Sequence, residues 1–203
     1  MITDTMTNNE IITKGLADSY NYDDYTDLVK NLFEKGESTT PNGGQALVDY
    51  TKLNISRMKR LRKTTTIPDD IAAKIKQINQ PITWLVLSEG WCGDAAQNLP
   101  IINAIANLND HINLRVVLRD QHPELMQAYL TNGNMAIPKL IQIESDEVTN
   151  TWGPRPTIAT KMVADYKAEH GSLTPEFKKD LQVWYNKDKG VNTIEDILDL
   201  LNL

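Results

Sequence analysis

The sequence holds one cysteine, Cys92, among 203 residues. A lone thiol cannot close an intramolecular disulfide, so any redox step at Cys92 needs a thiol or disulfide from a second molecule. No apolar run approaches the ~18 residues of a membrane helix, and no membrane partner is expected. The stretch from Met1 to Lys14 lacks the charged start, apolar centre and small-residue cleavage site of a secretory signal, so a cytoplasmic location is expected. Positive charge is also scarce, with 21 basic against 27 acidic side chains and a net charge of −6. A general nucleic-acid binder must neutralise phosphates, and this balance argues against one. The one basic cluster, Arg57, Lys59, Arg60, Arg62 and Lys63, scatters around a helix end, where cations suit the dipole, and reads as a solvated face. The three histidines, His111, His122 and His170, show no ligand spacing with Cys92, so neither a metal nor a cofactor is expected.

What is present is the composition of a soluble globule, 40% hydrophobic and 24% charged, with material for a sizeable core. The first 80 residues read as helices separated by polar breaks. Asp24 to Glu34 carries Tyr25, Leu28, Val29 and Leu32 at helical spacing, and Gln45 to Arg62 carries Leu47, Tyr50, Met58 and Leu61. Pro68 and Asp69 open a short helix to Gln77. From Pro81 strands alternate with helices. Ile82 to Leu87 is a buried strand, Ala95 to Leu108 a helix interrupted by Pro100, and Ile112 to Leu118 a second strand. Pro123 opens a helix through Tyr129, and Pro138 to Ile143 with Glu147 to Trp152 forms a hairpin around Ser145-Asp146. The order is βαβαββ, an α/β layer structure. The carboxyl-terminal part is helical: Thr157 to His170, a helix capped by Thr174-Pro175 that stops at Gly190, and a last one opened by a capping box of Thr193 with Asp196. The expected divisions are 1–80, a helical extension, 81–170, the α/β domain, and 171–203, helices that pack on it.

Four features carry chemistry. Trp91-Cys92-Gly93-Asp94-Ala95 follows the first strand, Pro100 lies in the next helix, Ile137-Pro138 precedes Lys139-Leu140, and Gly153 follows the hairpin. In that order these residues resemble the thioredoxin superfamily, whose site reads Trp-Cys-Gly-Pro-Cys, whose active-site helix is kinked by a proline, and whose Ile-Pro-Thr-Leu segment contains a cis proline. The resemblance covers Ile82 to Ala159. It implies a thioredoxin-like three-layer α/β/α fold with a central mixed sheet plus amino-terminal and carboxyl-terminal helical additions. It also implies that Cys92 is the nucleophile, that Pro138 lies against its sulfur, and that Ile137 offers backbone to an extended substrate. Trp91 and Trp152 are expected to flank the groove, with Gly93, Asp94, Ala95, Gly153 and Arg155 shaping the site.

A cysteine between a buried strand and a helix start feels the dipole and free N–H groups, which favour its thiolate. Asp94 opposes that effect with its own charge. Ala95 stands where the family has its resolving cysteine, and Val86 stands where thioredoxins keep a buried acid for proton transfer. An internal dithiol cycle is therefore excluded, and a mixed disulfide at Cys92 needs an external thiol for release. Arg155 reads either as a cation serving the thiolate, Asp94 or a ligand carboxylate, or as an exposed loop arginine. Glu89 reads either as an acid that polarises the site or, by preference, as a solvated loop acid, and Trp184 and Tyr185 read as core. Two functions follow: monothiol thiol–disulfide exchange with a protein or low-molecular-weight partner, or a redox-inactive binding module built on the same groove. A glutathione-linked enzyme is a third.

Overall fold

The computed structural model describes residues 7–203, which leaves Met1 to Met6 of the polar amino-terminal stretch outside the described residues. Four strands form one mixed sheet in the order β2-β1-β3-β4: β1 (Ile82–Ser88), β2 (Ile112–Leu118), β3 (Lys139–Glu144) and β4 (Glu147–Trp152). β1 pairs parallel with β2 in the register Val86 to Val116, and antiparallel with β3 in the register Val86 to Leu140. β1 is central and six of its seven residues are buried, which is why it reads as an unbroken apolar run. β4 is one of the two edge strands, and its exposure alternates until it ends on buried Trp152. The β3–β4 hairpin turns through Ser145 and Asp146 at φ 50° and 64°, the left-handed pair that a two-residue loop demands.

Helices cover both faces, giving the three-layer α/β/α arrangement with helical additions. α5 (Gly93–Ala106) connects β1 to β2, packs along α3 (Gln45–Thr64) and also meets α9 (Val191–Leu200). On the face of Leu85, α1 (Asn8–Ala17) meets α6 (Pro123–Ala128): a Cβ on Gly15 would lie 2.9 Å from the Leu125 side chain and 3.2 Å from that of Leu85. α2 (Tyr22–Glu34) leans on β2 and α3, and the short α4 (Asp69–Ile75) is tied down by Asn109, whose amide donates to the carbonyls of Ile75 and Ile78 at 2.7 and 2.9 Å. A second, smaller core joins α7 (Thr157–His170) to α8 (Pro175–Asp188) through Val163, Phe177, Leu181 and Tyr185.

The structure corrects the sequence reading at several elements. α1 was not anticipated, although Thr7 and Glu10 form a capping box ahead of Ile11 and Ile12. α5 begins at Gly93 and runs uninterrupted through Pro100. The hydrogen bond that proline removes is tolerated because almost the whole helix is buried and held by tertiary packing. The inward face of α3 is Val48, Thr51, Asn54, Met58 and Leu61, with Tyr50 about half exposed; a buried asparagine on that face hid the true stripe. α9 begins at Val191 directly after Gly190 (φ 84°), so Thr193 is not its cap. Thr193 is fully buried and donates its hydroxyl to Asn98 Oδ1 at 2.7 Å, while Asp196 accepts from Trp152 and Thr157. A capping pattern in the sequence has become a set of tertiary hydrogen bonds.

Candidate functional site

The Leu87–Gly93 segment brings the chain off the end of β1 into α5, and Cys92 is the N-cap of that helix. Its sulfur accepts the N–H of Ala95 at 3.4 Å, the contact a helix start offers an N-cap side chain. On its other side the thiol donates to the carbonyl of Ile137 at 3.3 Å. The Ile137–Pro138 peptide that follows this carbonyl is cis. Cys92 is only 8% exposed, and its thiol is pushed up to about 12. Burial is the main cause and the charge of Asp94 the second, while the N–H groups of Ala95 and Asp94 and the cation of Arg155 pull the other way. The thiol donating to a carbonyl is the protonated form, in agreement with that direction.

Asp94, one turn position further, is buried and anchored on two sides. Arg155 Nη2 lies 2.7 Å from Oδ2, and the Tyr185 hydroxyl donates to Oδ1 at 3.0 Å. Burial raises its carboxyl above the ordinary value, opposed by Arg155 and then by the Tyr185 hydrogen bond. Asn98 continues the network: its amide donates to the Asp94 carbonyl at 2.8 Å and to the Tyr185 oxygen at 3.3 Å. The paired reading of Arg155 is the one the geometry realises. Tyr185 lies in the small core as expected, yet its hydroxyl belongs to the site, a role that an apolar stripe on α8 does not signal.

Ala95 is buried against the core and contributes only its N–H. Gly93 is half-buried between two side chains: a Cβ there would sit 3.5 Å from Gln182 Nε2 and 3.6 Å from Arg57 Nη1. Gly153 is required by its neighbours, because at φ 115° a Cβ would fall 2.1 Å from the Pro138 carbonyl oxygen. Thus Gly153 and Pro138 are in contact, and Arg155 reaches Asp94 from the loop that follows. Trp91 is half-buried, donates to Thr40 Oγ1 at 2.7 Å and carries the Arg119 guanidinium 4.9 Å above its ring. Trp152 does not present an open face: it is buried, and its indole donates to Asp196 at 2.9 Å.

Glu89 is not a solvated acid. It is fully buried, accepts from the Thr39 hydroxyl and from the N–H of Asp120 at 2.9 Å, and is pushed upward by burial. Thr39 in turn accepts the N–H of Gly90 at 3.0 Å. Through this acid the 38–40 loop is fastened to the chain just before Cys92. Val86 is buried as well, leaving Glu89 as the buried acid on the approach to the site. Arg57, read from sequence as part of a solvated cluster, lies beside Gly93. Nothing in its charge pattern marks that placement, which follows from α3 packing on α5. Among the described residues no group of three His, Cys, Asp or Glu side chains gathers as a metal site, and no helix is long and apolar enough to cross a membrane.

Comparisons with known proteins fit this arrangement. A family model described as thioredoxin matches residues 40–167, more than half the chain. A protein of unknown function from Pseudomonas aeruginosa shares the fold at a TM-score of 0.59 and 16% identity, covering 90% of this chain and 98% of its own. An HIV epitope-scaffold gives a TM-score of 0.56 at 16% identity over the same shares. Among the curated proteins nothing matches. At this identity the two structures speak for the fold alone, whereas the family match spans the strand, the Cys92 turn, Pro138 and Arg155. The chain belongs to the thioredoxin family.

Proposed function

We propose that the protein carries out monothiol thiol–disulfide exchange at Cys92. The thiolate attacks one sulfur of a disulfide, the disulfide's own bond breaks, and the departing half leaves as a thiol once protonated. A second external thiol then attacks the mixed disulfide and releases Cys92, because Ala95 offers no sulfur to do so. The observation that carries this reading is the placement of the Cys92 sulfur on the first N–H groups of α5 and beside the Ile137 carbonyl. That carbonyl lies where an extended substrate segment would meet the chain. The protonated resting thiol makes the exchange slow in the free protein and accelerated by alkali. The partner is a protein or low-molecular-weight thiol or disulfide, and the compartment proposed is the cytoplasm. The chain is proposed to divide functionally at residues 80 and 170, with the flanking helices bracing the site.

The test is mass spectrometry of the native protein after exposure to oxidised glutathione from pH 7 to pH 9.5, with Cys92→Ser as control. Formation of one adduct, faster at higher pH and reversed by added thiol, is expected. A second reading, a redox-inactive binding module, is favoured by the same raised thiol. It gains the field if no adduct forms at pH 9.5 while the urea-unfolded protein reacts.

A further inference from the structure

Arg57 is half-buried and has no carboxylate within ion-pair distance among the described residues. Both other arginines of the basic cluster are engaged elsewhere: Arg62 pairs with Asp23 at 2.7 Å, and Arg60 donates to Asn186 at 2.7 Å from an exposed position. Arg57 is instead held in place by a neutral strut. Its Nη1 donates to Asn54 Oδ1 at 2.7 Å, and the fully buried Asn54 donates its amide to the Gly90 carbonyl at 2.9 Å. The strut fixes a guanidinium to the same loop that presents Cys92. Nη1 is the atom 3.6 Å from the position of a Gly93 Cβ, with Gln182 of α8 on the other flank.

The charge of Asp94 favours the Arg57 guanidinium without a direct ion pair, but that carboxylate is already paired with Arg155, so two guanidiniums share one anion, and a rigid asparagine strut is an odd support for an arginine with no role. The other arginine near the thiol, Arg155, already satisfies Asp94, and its buried Nε has no hydrogen-bond partner. The site therefore carries more cationic charge than Asp94 alone balances, with the Arg57 fork beside the half-buried Gly93 that follows the thiol.

Resting on the monothiol reading above, we propose that Arg57 is the specificity-determining residue of the Cys92 site and selects low-molecular-weight disulfides that carry a carboxylate. The planar guanidinium fork takes the carboxylate while the disulfide lies over Gly93 toward the sulfur. In the exchange, Cys92 loses its proton to solvent, forms a bond to the near sulfur and is oxidised. The ligand's disulfide bond breaks, and its other half is reduced and leaves as a thiol after taking a proton. Helices α3 and α8 stand on both sides of Gly93, an arrangement suited to a small ligand.

The experiment measures adduct formation at Cys92 of the full chain with oxidised glutathione, which is anionic, with the neutral bis(2-hydroxyethyl) disulfide, and with the cationic cystamine, at low ionic strength. Each rate is divided by that of the urea-unfolded protein. The wild type is expected to favour oxidised glutathione over the neutral disulfide by at least about tenfold, a typical scale for one charge-assisted contact. Arg57→Met is expected to abolish the preference and leave the neutral rate within about twofold. Arg57→Gln, which keeps a donor for Asn54, is expected to do the same and guards against a packing effect. S-methylglutathione, which cannot exchange, is expected to raise the wild-type melting temperature and not that of either variant. A preference that survives both variants overturns the assignment of Arg57. If no disulfide reacts with the native protein, the exchange reading falls; an Arg57-dependent shift with S-methylglutathione then still supports the carboxylate site, and its absence overturns that site too. An acidic cystine peptide that outpaces oxidised glutathione in an Arg57-dependent way overturns the small-molecule assignment.

Discussion

The electrostatics around Cys92 make a prediction with opposite signs at two residues. Asp94 raises the thiol and Arg155 lowers it, and the two are paired at 2.7 Å. Moving a thiol from 9.0 to about 12 reduces its thiolate fraction at pH 7 by roughly a thousandfold. A more basic thiolate is also the better nucleophile, and with a Brønsted coefficient of about 0.45 it recovers roughly twentyfold. The native thiol should thus react about fiftyfold more slowly than the unfolded one. Asp94→Asn removes the anion and keeps an acceptor for the Tyr185 hydroxyl. Taking its effect as about one pKa unit, the lower end for a neighbouring charge, the same arithmetic gives a rate at pH 7 about threefold to fourfold faster. Arg155→Met removes the cation and should slow the reaction by a similar factor.

The assay is the pH–rate profile of Cys92 with an uncharged disulfide, so that ligand charge plays no part. Asp94→Asn should shift the profile to lower pH and Arg155→Met to higher pH. Variants that both accelerate would refute the reasoning, because that outcome means the side chains act by opening the site. A native thiol as reactive as the unfolded one would refute the account of burial.

Three further outcomes are expected. Gly153→Ala should lower stability in urea unfolding by about 3 kcal/mol or more, since its Cβ would collide with the Pro138 carbonyl at 2.1 Å and the backbone is at φ 115°; a loss below about 1 kcal/mol would show that the loop relaxes freely. The Cys92 thiol, higher in the folded than in the unfolded chain, keeps its proton longest in the folded state, so stability falls as pH rises above 9.0. Under reducing conditions the wild type should lose about 1.4 kcal/mol by pH 10 that Cys92→Ser does not lose, and parallel curves for the two would contradict a raised thiol. Glu89 is also raised, so its contribution is most favourable below the ordinary carboxylate range and weakens as pH climbs through its folded value. Glu89→Gln should flatten the decline that sets in above about pH 4.5 in the wild type, and an unchanged slope would place the titration elsewhere.

The βαβαββ order was readable because β1 announces itself through burial on both faces, the β3–β4 hairpin through its Ser145-Asp146 turn and α7 through its stop at Gly171. The candidate site was readable because Cys92, Pro138 and Gly153 have local requirements: a helix start, a proline and a backbone with no Cβ. What stayed hidden depends on contacts distant in the chain. Tyr185 and Asp94 lie 91 residues apart, and Thr39 and Glu89 lie 50 apart. No period or motif encodes such a meeting. Glu89 looked like any acid in a Ser-Glu-Gly loop because its partner is a threonine on a different segment. Arg57 looked like any helix-end cation because the asparagine that fixes it appears on an inward face otherwise built from apolar residues and a threonine.

Two departures from the family pattern act together on this site. Ala95 removes the second sulfur, and Asp94, in place of the family's proline, ties the start of α5 to the Arg155 loop and to α8. The carboxylate is buried and its charge works against the thiolate, so it does not serve the nucleophile in the resting protein. Its partners instead join three separate parts of the chain at the sulfur. The second connection, Thr193 of α9 to Asn98 of α5 at 2.7 Å, runs alongside the first. The carboxyl-terminal helices are therefore part of the site's frame. In a two-cysteine member of the family an internal thiol ends each turn of the cycle. Here Ala95 offers no such thiol, and under the exchange proposed above the control of Cys92 falls to the charges held around it and to the thiol that arrives from outside.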